Sequence, residues 1–387
     1  MERPVGAELS EIKPFRIDIP QAALDDLALR LLRTRLISEL PAMASAGRGD
    51  VGIPVRPDSE YGVPLSYVGP LLEYWRDMFD WRAQEQRLNS FAQFTTEIDG
   101  QKIHFVHVRS PEPDAMPLLL AHGWPTTFTE FLGLVGELTD PRAHRGDPAD
   151  AFHVVIPSYP GFAFSGPTRT AGWHPVRIAA VFNELMIQLG YDRYGVHGND
   201  SGATVAPEMG RLAPENVVGV HVDQIFSFPK GEPGELDGLT DQELMLIQFG
   251  RKFREYSGTD FTQQARPQSP GHARSDSPVG QLAWSAQLLT DSMTRDEILT
   301  NVAIYWFTNT SAPACRFYFE NEYSTPTTTP IGLACFGHDF KPPRKFAERD
   351  HANIVQWHEY DQGGHWAAYE VPDLLLADIR DFFRKVI

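Results

Sequence analysis

The chain has 387 residues, 42% hydrophobic and 22% charged, which is the balance of a globular protein with room for a large core. Its formal net charge of -17 repels nucleic acid and anionic membrane surfaces, so both are excluded as partners. Two cysteines, Cys315 and Cys335, make no disulfide framework and point to reduced thiols in a cytoplasmic protein.

Met1 to Pro20 is mixed and charged, so neither a signal peptide nor a membrane span is expected there. Alternation from Phe15 to Ile19 predicts a short strand, and Leu24, Leu27, Leu31 and Leu32 recur at helical spacing. Residues 41–60, rich in Gly, Pro and Ala, predict a loop. Ser66 to Asp80 predicts a helix with Tyr67, Leu71, Leu72 and Trp75 on its apolar face. Phe94 to Ile98, the turn Asp99-Gly100 and Lys102 to Val108 predict a β-hairpin.

From Pro117 the pattern is strand, loop, helix, repeated. Strands are predicted at 117–121, 152–157, 194–197 and 217–222, with helices at 128–138, 175–189 and 203–212. Such alternation predicts a mostly parallel sheet with helices on both faces. Residues 226–324 break it with mostly helical sequence, a lid-like insertion suited to substrate contacts. A strand at 331–336 and a helix at 374–386 close the chain. The expected division is an N-terminal segment 1–98, core 99–225, lid 226–324 and core 325–387.

Gly198-Asn199-Asp200-Ser201-Gly202 stands between an apolar run and a helical one. Gly-x-nucleophile-x-Gly in that setting is the spacing of a nucleophile elbow. The central side chain is Asp200, and a carboxylate nucleophile attacks carbon and leaves an ester on the enzyme. Asp beside Gly is also common in plain turns, and the flanking strand and helix decide against that. His122-Gly123-Trp124-Pro125 follows the strand at 117–121. That position assigns the backbone N–H groups of Trp124 and Ser201 to an oxyanion hole. Gly363-Gly364-His365, late in the chain, offers His365 as the base that activates water. Asp339 is expected to orient it, with Glu348 and Asp350 as second choices. Tyr318, in Arg316-Phe317-Tyr318-Phe319, can give a hydrogen bond or proton to a leaving oxygen. A tyrosine flanked by phenylalanines is otherwise a core residue.

These residues resemble the microsomal-type epoxide hydrolases of the α/β-hydrolase superfamily. The resemblance runs through Tyr61-Gly-Val-Pro-Leu-Ser-Tyr67, Phe79-Asp-Trp-Arg82, Ile103-His-Phe-Val-His107, His122-Gly-Trp-Pro125, Pro157-Ser-Tyr-Pro-Gly161, Asp276-Ser-Pro-Val-Gly280 and Gly363-Gly-His365. It implies an α/β-hydrolase fold in which Asp200 is nucleophile, His365 base, Asp339 acid and Tyr318 one of two lid tyrosines. It also implies an N-terminal segment that wraps the core and lid. Ser201 stands where haloalkane dehalogenases hold halide with a tryptophan, which argues against that relative. Aligning Gln263-x-x-Arg266-Pro267 with the family pattern puts Thr259 where the second lid tyrosine belongs. Tyr256, three residues earlier, could share its helical face.

The expectation is an epoxide hydrolase that forms a vicinal diol and needs no metal or organic cofactor. Its partner would be a small-molecule epoxide, with a bulky or aromatic one compatible with the composition. Tyr256, Thr259 and Trp124 are the candidate substrate contacts. A homodimer is left open. The alternatives are a lactone or ester hydrolase on the same scaffold, and a catalytically silent binding protein.

Overall fold

The computed structural model describes residues 10–39, 61–256, 258–321 and 326–387, with the side chains of 252–261 outside the description. Nine strands form one sheet: β1 Lys13–Phe15, β2 Gln93–Ile98, β3 Gln101–Val108, β4 Met116–Ala121, β5 Phe152–Pro157, β6 Tyr194–Gly198, β7 Val217–Val222, β8 Ile331–Cys335 and β9 Ile354–Glu359. Their order is β1-β2-β3-β5-β4-β6-β7-β8-β9. β1, β2, β3 and β5 pair antiparallel, and every pair from β5/β4 to β8/β9 is parallel.

The parallel strands need cover on both faces, and the sequence of β4 shows why they get it. Successive strand residues point to opposite faces. Leu118 and Leu120 enter one apolar cluster and Leu119 and Ala121 the other, all fully buried. Helices Pro175–Gln188 and Gly202–Leu212 cover one face. Helix Pro372–Val386 covers the other with Leu375, Leu376, Ile379, Phe382 and Phe383.

Two expected elements differ. Ladder pairing with β2 stops at Phe15, so the predicted strand is shorter and lies earlier. Side chains then replace the neighbouring strand: Asn89 Oδ1 accepts the Ile17 N–H at 2.8 Å and Glu85 Oε1 that of Ile19 at 2.7 Å. The predicted helix at 128–138 is a 3-10 turn, Phe128–Phe131, followed by a short helix, Val135–Thr139. Gly133 lies between them, and glycine weakens a helix interior.

Between β7 and β8 the chain makes an all-helical insertion, from Asp241–Tyr256 to Ser311–Phe319. Its helix Arg295–Thr308 starts with a Thr294/Glu297 capping box and ends on left-handed Asn309. The N-terminal helix Gln21–Leu32 reaches the insertion through Arg30, which pairs with Asp276 at 3.0 Å and lies over Trp306. Among the described residues no helix is long and apolar enough to cross a membrane.

Candidate active site

β6 ends at Gly198 and a helix begins at Gly202, so the chain must reverse within three residues. Asp200 takes φ 52°, a left-handed conformation that costs a non-glycine residue energy. Gly202 makes the turn possible. A Cβ there would stand 1.9 Å from the carbonyl oxygen of Ala121 at the end of β4. Gly123 plays the matching part on the facing loop, since a Cβ there would stand 2.5 Å from the Asp200 Cβ. The Trp124-Pro125 bond in that loop is cis.

The two oxygens of Asp200 have different neighbours. Oδ1 accepts from the Trp124 N–H at 2.9 Å, the Ser201 hydroxyl at 3.0 Å and the Tyr318 hydroxyl at 3.3 Å. Oδ2 faces His365 Nε2 at 3.3 Å. His365 Nδ1 lies 2.9 Å from Asp339 Oδ1. Glu348 and Asp350 pair instead with Arg344 and Arg349. Burial alone would raise the Asp200 carboxyl, but His365 and the N–H groups of Trp124 and Ser201 outweigh it and hold it below its ordinary value. Burial lowers the His365 imidazole, but Asp339 and Asp200 outweigh that and hold it well above its ordinary value.

Three polar residues that the sequence did not single out tie these groups together. Gln224, two residues past β7, accepts the Asp200 N–H at 2.8 Å and donates to Asn199 Oδ1 and to Asp339 Oδ2. Asn199 donates to the His365 carbonyl at 3.0 Å and to Glu130 Oε1 at 2.8 Å. Glu130, in the Phe128–Phe131 turn, accepts the Gly123 N–H at 2.9 Å and the Thr126 hydroxyl at 2.5 Å. Burial pushes the Glu130 carboxyl up to about 7. Behind it lies a cavity of about 170 Å³ lined in part by Glu130, Thr129, Glu297 and Tyr369. The one signal available in the sequence is position, since all three follow the C-terminal ends of β4, β6 or β7, where sites in parallel sheets form.

Tyr318 is half-buried on Ser311–Phe319, and its ring meets Trp124 edge to face at 6.0 Å. Tyr256 ends one helix of the insertion and Thr259 is the second residue of the next, but their side chains lie outside the described residues. Cys315 and Cys335 are free and buried. Three donor atoms of His197, His221 and Asp223 lie within 4.8 Å of one another. The facing Nδ1 atoms of the two imidazoles bond each other at 2.9 Å, and His221 Nε2 bonds Asp378 at 2.8 Å. Burial raises the Asp223 carboxyl well above its ordinary value, which favours the neutral acid.

A carboxylate elbow, an imidazole and a second carboxylate can form and then hydrolyse an ester. Known proteins carry the same arrangement of segments. Residues 12–131 match the family described as epoxide hydrolase N terminus, and residues 118–378 match the alpha/beta hydrolase family. A Stigmatella aurantiaca relative is 39% identical over 97% of this chain and 85% of its own length. Epoxide hydrolase 1 of Sus scrofa is 32% identical over 98% of this chain and 90% of its own. The solved structure of Aspergillus niger epoxide hydrolase superposes with a TM-score of 0.83 at 29% identity, covering 97% of each chain. Juvenile hormone epoxide hydrolase from Bombyx mori, at 22% identity and a TM-score of 0.82 over 97% of this chain and 95% of its own, shares the fold. Similarity above 30% identity that runs through both the N-terminal segment and the sheet is more than a shared scaffold, and the chain belongs to the epoxide hydrolase family of the α/β-hydrolase fold.

Proposed function

We propose that this protein opens an epoxide to a vicinal diol through an ester on Asp200. One observation carries the reading: Tyr318 Oη and His365 Nε2 approach different oxygens of a single carboxylate, each at 3.3 Å. Oδ2 then attacks an epoxide carbon. The C–O bond of the ring breaks, and Tyr318 donates to the oxygen that leaves. Oδ1 becomes the ester carbonyl oxygen and stays with the N–H groups of Trp124 and Ser201.

Ester formation also sets up the second step. It removes the negative charge of Asp200, one of the two anions that hold the His365 proton. The imidazole can then lose that proton, which balances the one taken up by the opened oxygen. Neutral His365, oriented by Asp339, takes a proton from water as the water attacks Cγ. The tetrahedral oxyanion on Oδ1 is held by the same two N–H groups. Collapse breaks the bond from Cγ to the ester oxygen, which takes its proton from the imidazolium; the proton left on the regenerated Asp200 carboxyl returns to His365, and the diol leaves with one oxygen from the enzyme.

On this reading residues 226–324 act as the lid, 99–225 and 325–387 as the core, and 1–98 as the wrapping segment. The aromatic walls at Trp124, Phe317, Tyr318 and Trp366 support a bulky apolar epoxide. Two buried, unpaired cysteines support a reducing compartment, the cytoplasm.

The test is a first turnover of styrene oxide in heavy-oxygen water. Unlabelled oxygen at the newly hydroxylated carbon is the expected outcome. Solvent label there in the first turnover would rule out the ester route.

A further inference from the structure

The helical insertion holds a buried charge that epoxide opening does not use. Arg274, on helix Gln268–Asp276, is 2% exposed. Among the described residues its three guanidinium nitrogens meet no oxygen or nitrogen acceptor, only the weak thiol of Cys315. Its charge lies 4.7 Å from the centre of the Trp284 ring and beside the Cys315 thiol. Burial pushes that thiol up to about 11 even with the cation next to it, so it stays neutral and balances nothing. A guanidinium does not give up its proton inside a protein. Stacking on an aromatic face recovers only part of what burying an unpaired charge costs. Among the described residues no carboxylate pairs with this cation.

Its position says where an anion comes from. Gln263 Oε1 accepts from Cys315 Sγ at 2.8 Å and from Trp284 Nε1 at 3.3 Å, which ties the neighbours of the guanidinium together. Cys315 lies three residues before Tyr318 on one helix, roughly 5 Å along its axis. Leu288, one turn past Trp284, accepts the indole N–H of Trp366 at 2.6 Å, and Trp366 adjoins His365. Arg274 therefore stands behind the wall that faces the nucleophile. Position 259, where the family resemblance calls for a second tyrosine and the chain has threonine, lies one turn before Gln263 on Gly258–Ala265.

We propose that Arg274 anchors a carboxylate carried by the substrate, so that the favoured epoxides are acids. The proposal rests on the epoxide-opening reading and names the substrate class for it. The planar fork of the guanidinium suits a carboxylate. One buried cation in apolar surroundings balances a monoanion, whereas a phosphate dianion would leave excess charge against the Trp284 ring and the thiol. The acid and the epoxide are joined by a spacer of several carbons, because a turn of helix separates Cys315 from Tyr318. The guanidinium nitrogens are enclosed, so the carboxylate displaces the thiol or the indole as their neighbour.

The test compares an aliphatic epoxide ending in a carboxylate with its methyl ester, using the wild-type protein, with styrene oxide as a neutral substrate. The expected kcat/KM for the acid exceeds that for the ester by about tenfold or more, mainly through KM. In Arg274→Met the ratio falls to about one, and Arg274→Lys keeps an intermediate ratio. Calorimetry with octanoate and octanamide gives a readout without turnover: wild type binds octanoate more tightly, and Arg274→Met abolishes the difference. A wild-type acid-to-ester ratio of one or less, or octanoate binding that Arg274→Met leaves unchanged, overturns the proposal. If octanoate binds through Arg274 but styrene oxide and both other epoxides stay intact, the anchor stands and the epoxide-opening reading fails.

Discussion

The two walls of the site are built on opposite principles. On the core side the polar groups around the Asp200 carboxylate are tied to one another. Asp200, Asn199, Gln224, Asp339, His365 and Glu130 form one hydrogen-bonded chain mounted on strand ends and the loops beside them. On the insertion side polar groups are few and set among aromatics, with Tyr318 beside Trp124 and Phe317, and Arg274 against Trp284. A saturated network fixes geometry to a fraction of an ångström, which bond-making needs. An apolar wall with isolated polar points leaves room to choose among substrates. On the proposed mechanism, chemistry then belongs to the sheet and selection to the helices.

The most severe way to break this division is at the nucleophile and base. Asp200→Asn should lower kcat by about a thousandfold or more, with no ester formed. His365→Gln should lose as much steady-state rate yet still form one equivalent of ester, visible as a mass increase on the intact protein. A His365→Gln protein that turned over without a burst would place water activation elsewhere. A subtler readout follows from the electrostatics. In Asp200→Asn the His365 imidazole should titrate lower than in wild type, because one of its two anions is gone. Proton NMR of that histidine at a series of pH values checks the direction.

Next comes the insertion side. Tyr318→Phe should slow ester formation by about a hundredfold, the lower end for a general acid, and leave hydrolysis of a preformed ester unaffected. Equal slowing of both steps would mean the phenol acts only by packing. A smaller effect is expected at Gln224, which positions rather than reacts. Gln224→Leu orphans the Asp200 N–H and the Asn199 carbonyl, so stability should fall by about 1–3 kcal/mol in denaturant unfolding. Its kcat should fall about tenfold while KM stays near wild type, because the elbow and acid loop lose their shared bridge.

Glu130 comes last for the rate and is read in stability instead. Its folded pKa, about 7, lies above the ordinary 4.5, so the native state holds a proton that the unfolded chain releases. The resulting stabilisation is complete below about 4.5 and is lost as pH rises through about 7. It amounts to about 3 kcal/mol across that window. Glu130→Gln should flatten this part of the profile when unfolding is followed from acid to neutral pH. An unchanged slope would assign it to other groups.

Much of the geometry of the core wall is legible in the sequence, because the residues proposed to react sit at glycine-marked turns. Asp200 lies between Gly198 and Gly202, and His365 follows Gly363-Gly364. Their supports were not legible. Gln224 and Asn199 are polar residues at strand ends, and only the fold decides whether such a residue is buried or wet. β9, with the sequence Ile-Val-Gln-Trp-His-Glu, was not anticipated either, since its partly exposed edge position gives no clean alternation. The insertion was legible as helices but not as a wall. Arg274 sits in the polar stretch Gln-Ser-Pro-Gly-His-Ala-Arg-Ser-Asp, where nothing in the pattern marks one arginine for burial.

The buried carboxylate of Asp378 has a consequence for how this protein is made. It receives His221, Gln356, His358 and Tyr360, and its bond to His221 spans 157 residues of chain. Asp200 and His365 are 165 residues apart. A chain emerging from the ribosome finishes the elbow long before it can finish the site, and it carries β7 with an unsatisfied His221 while the whole helical insertion is still being made. Strand β9 and helix Pro372–Val386 are therefore made after the strands they complete. Nascent chains halted before β8 would expose the β7 edge to partners of the wrong kind and depend on holding chaperones, and chains halted before residue 365 would still lack the imidazole beside Asp200.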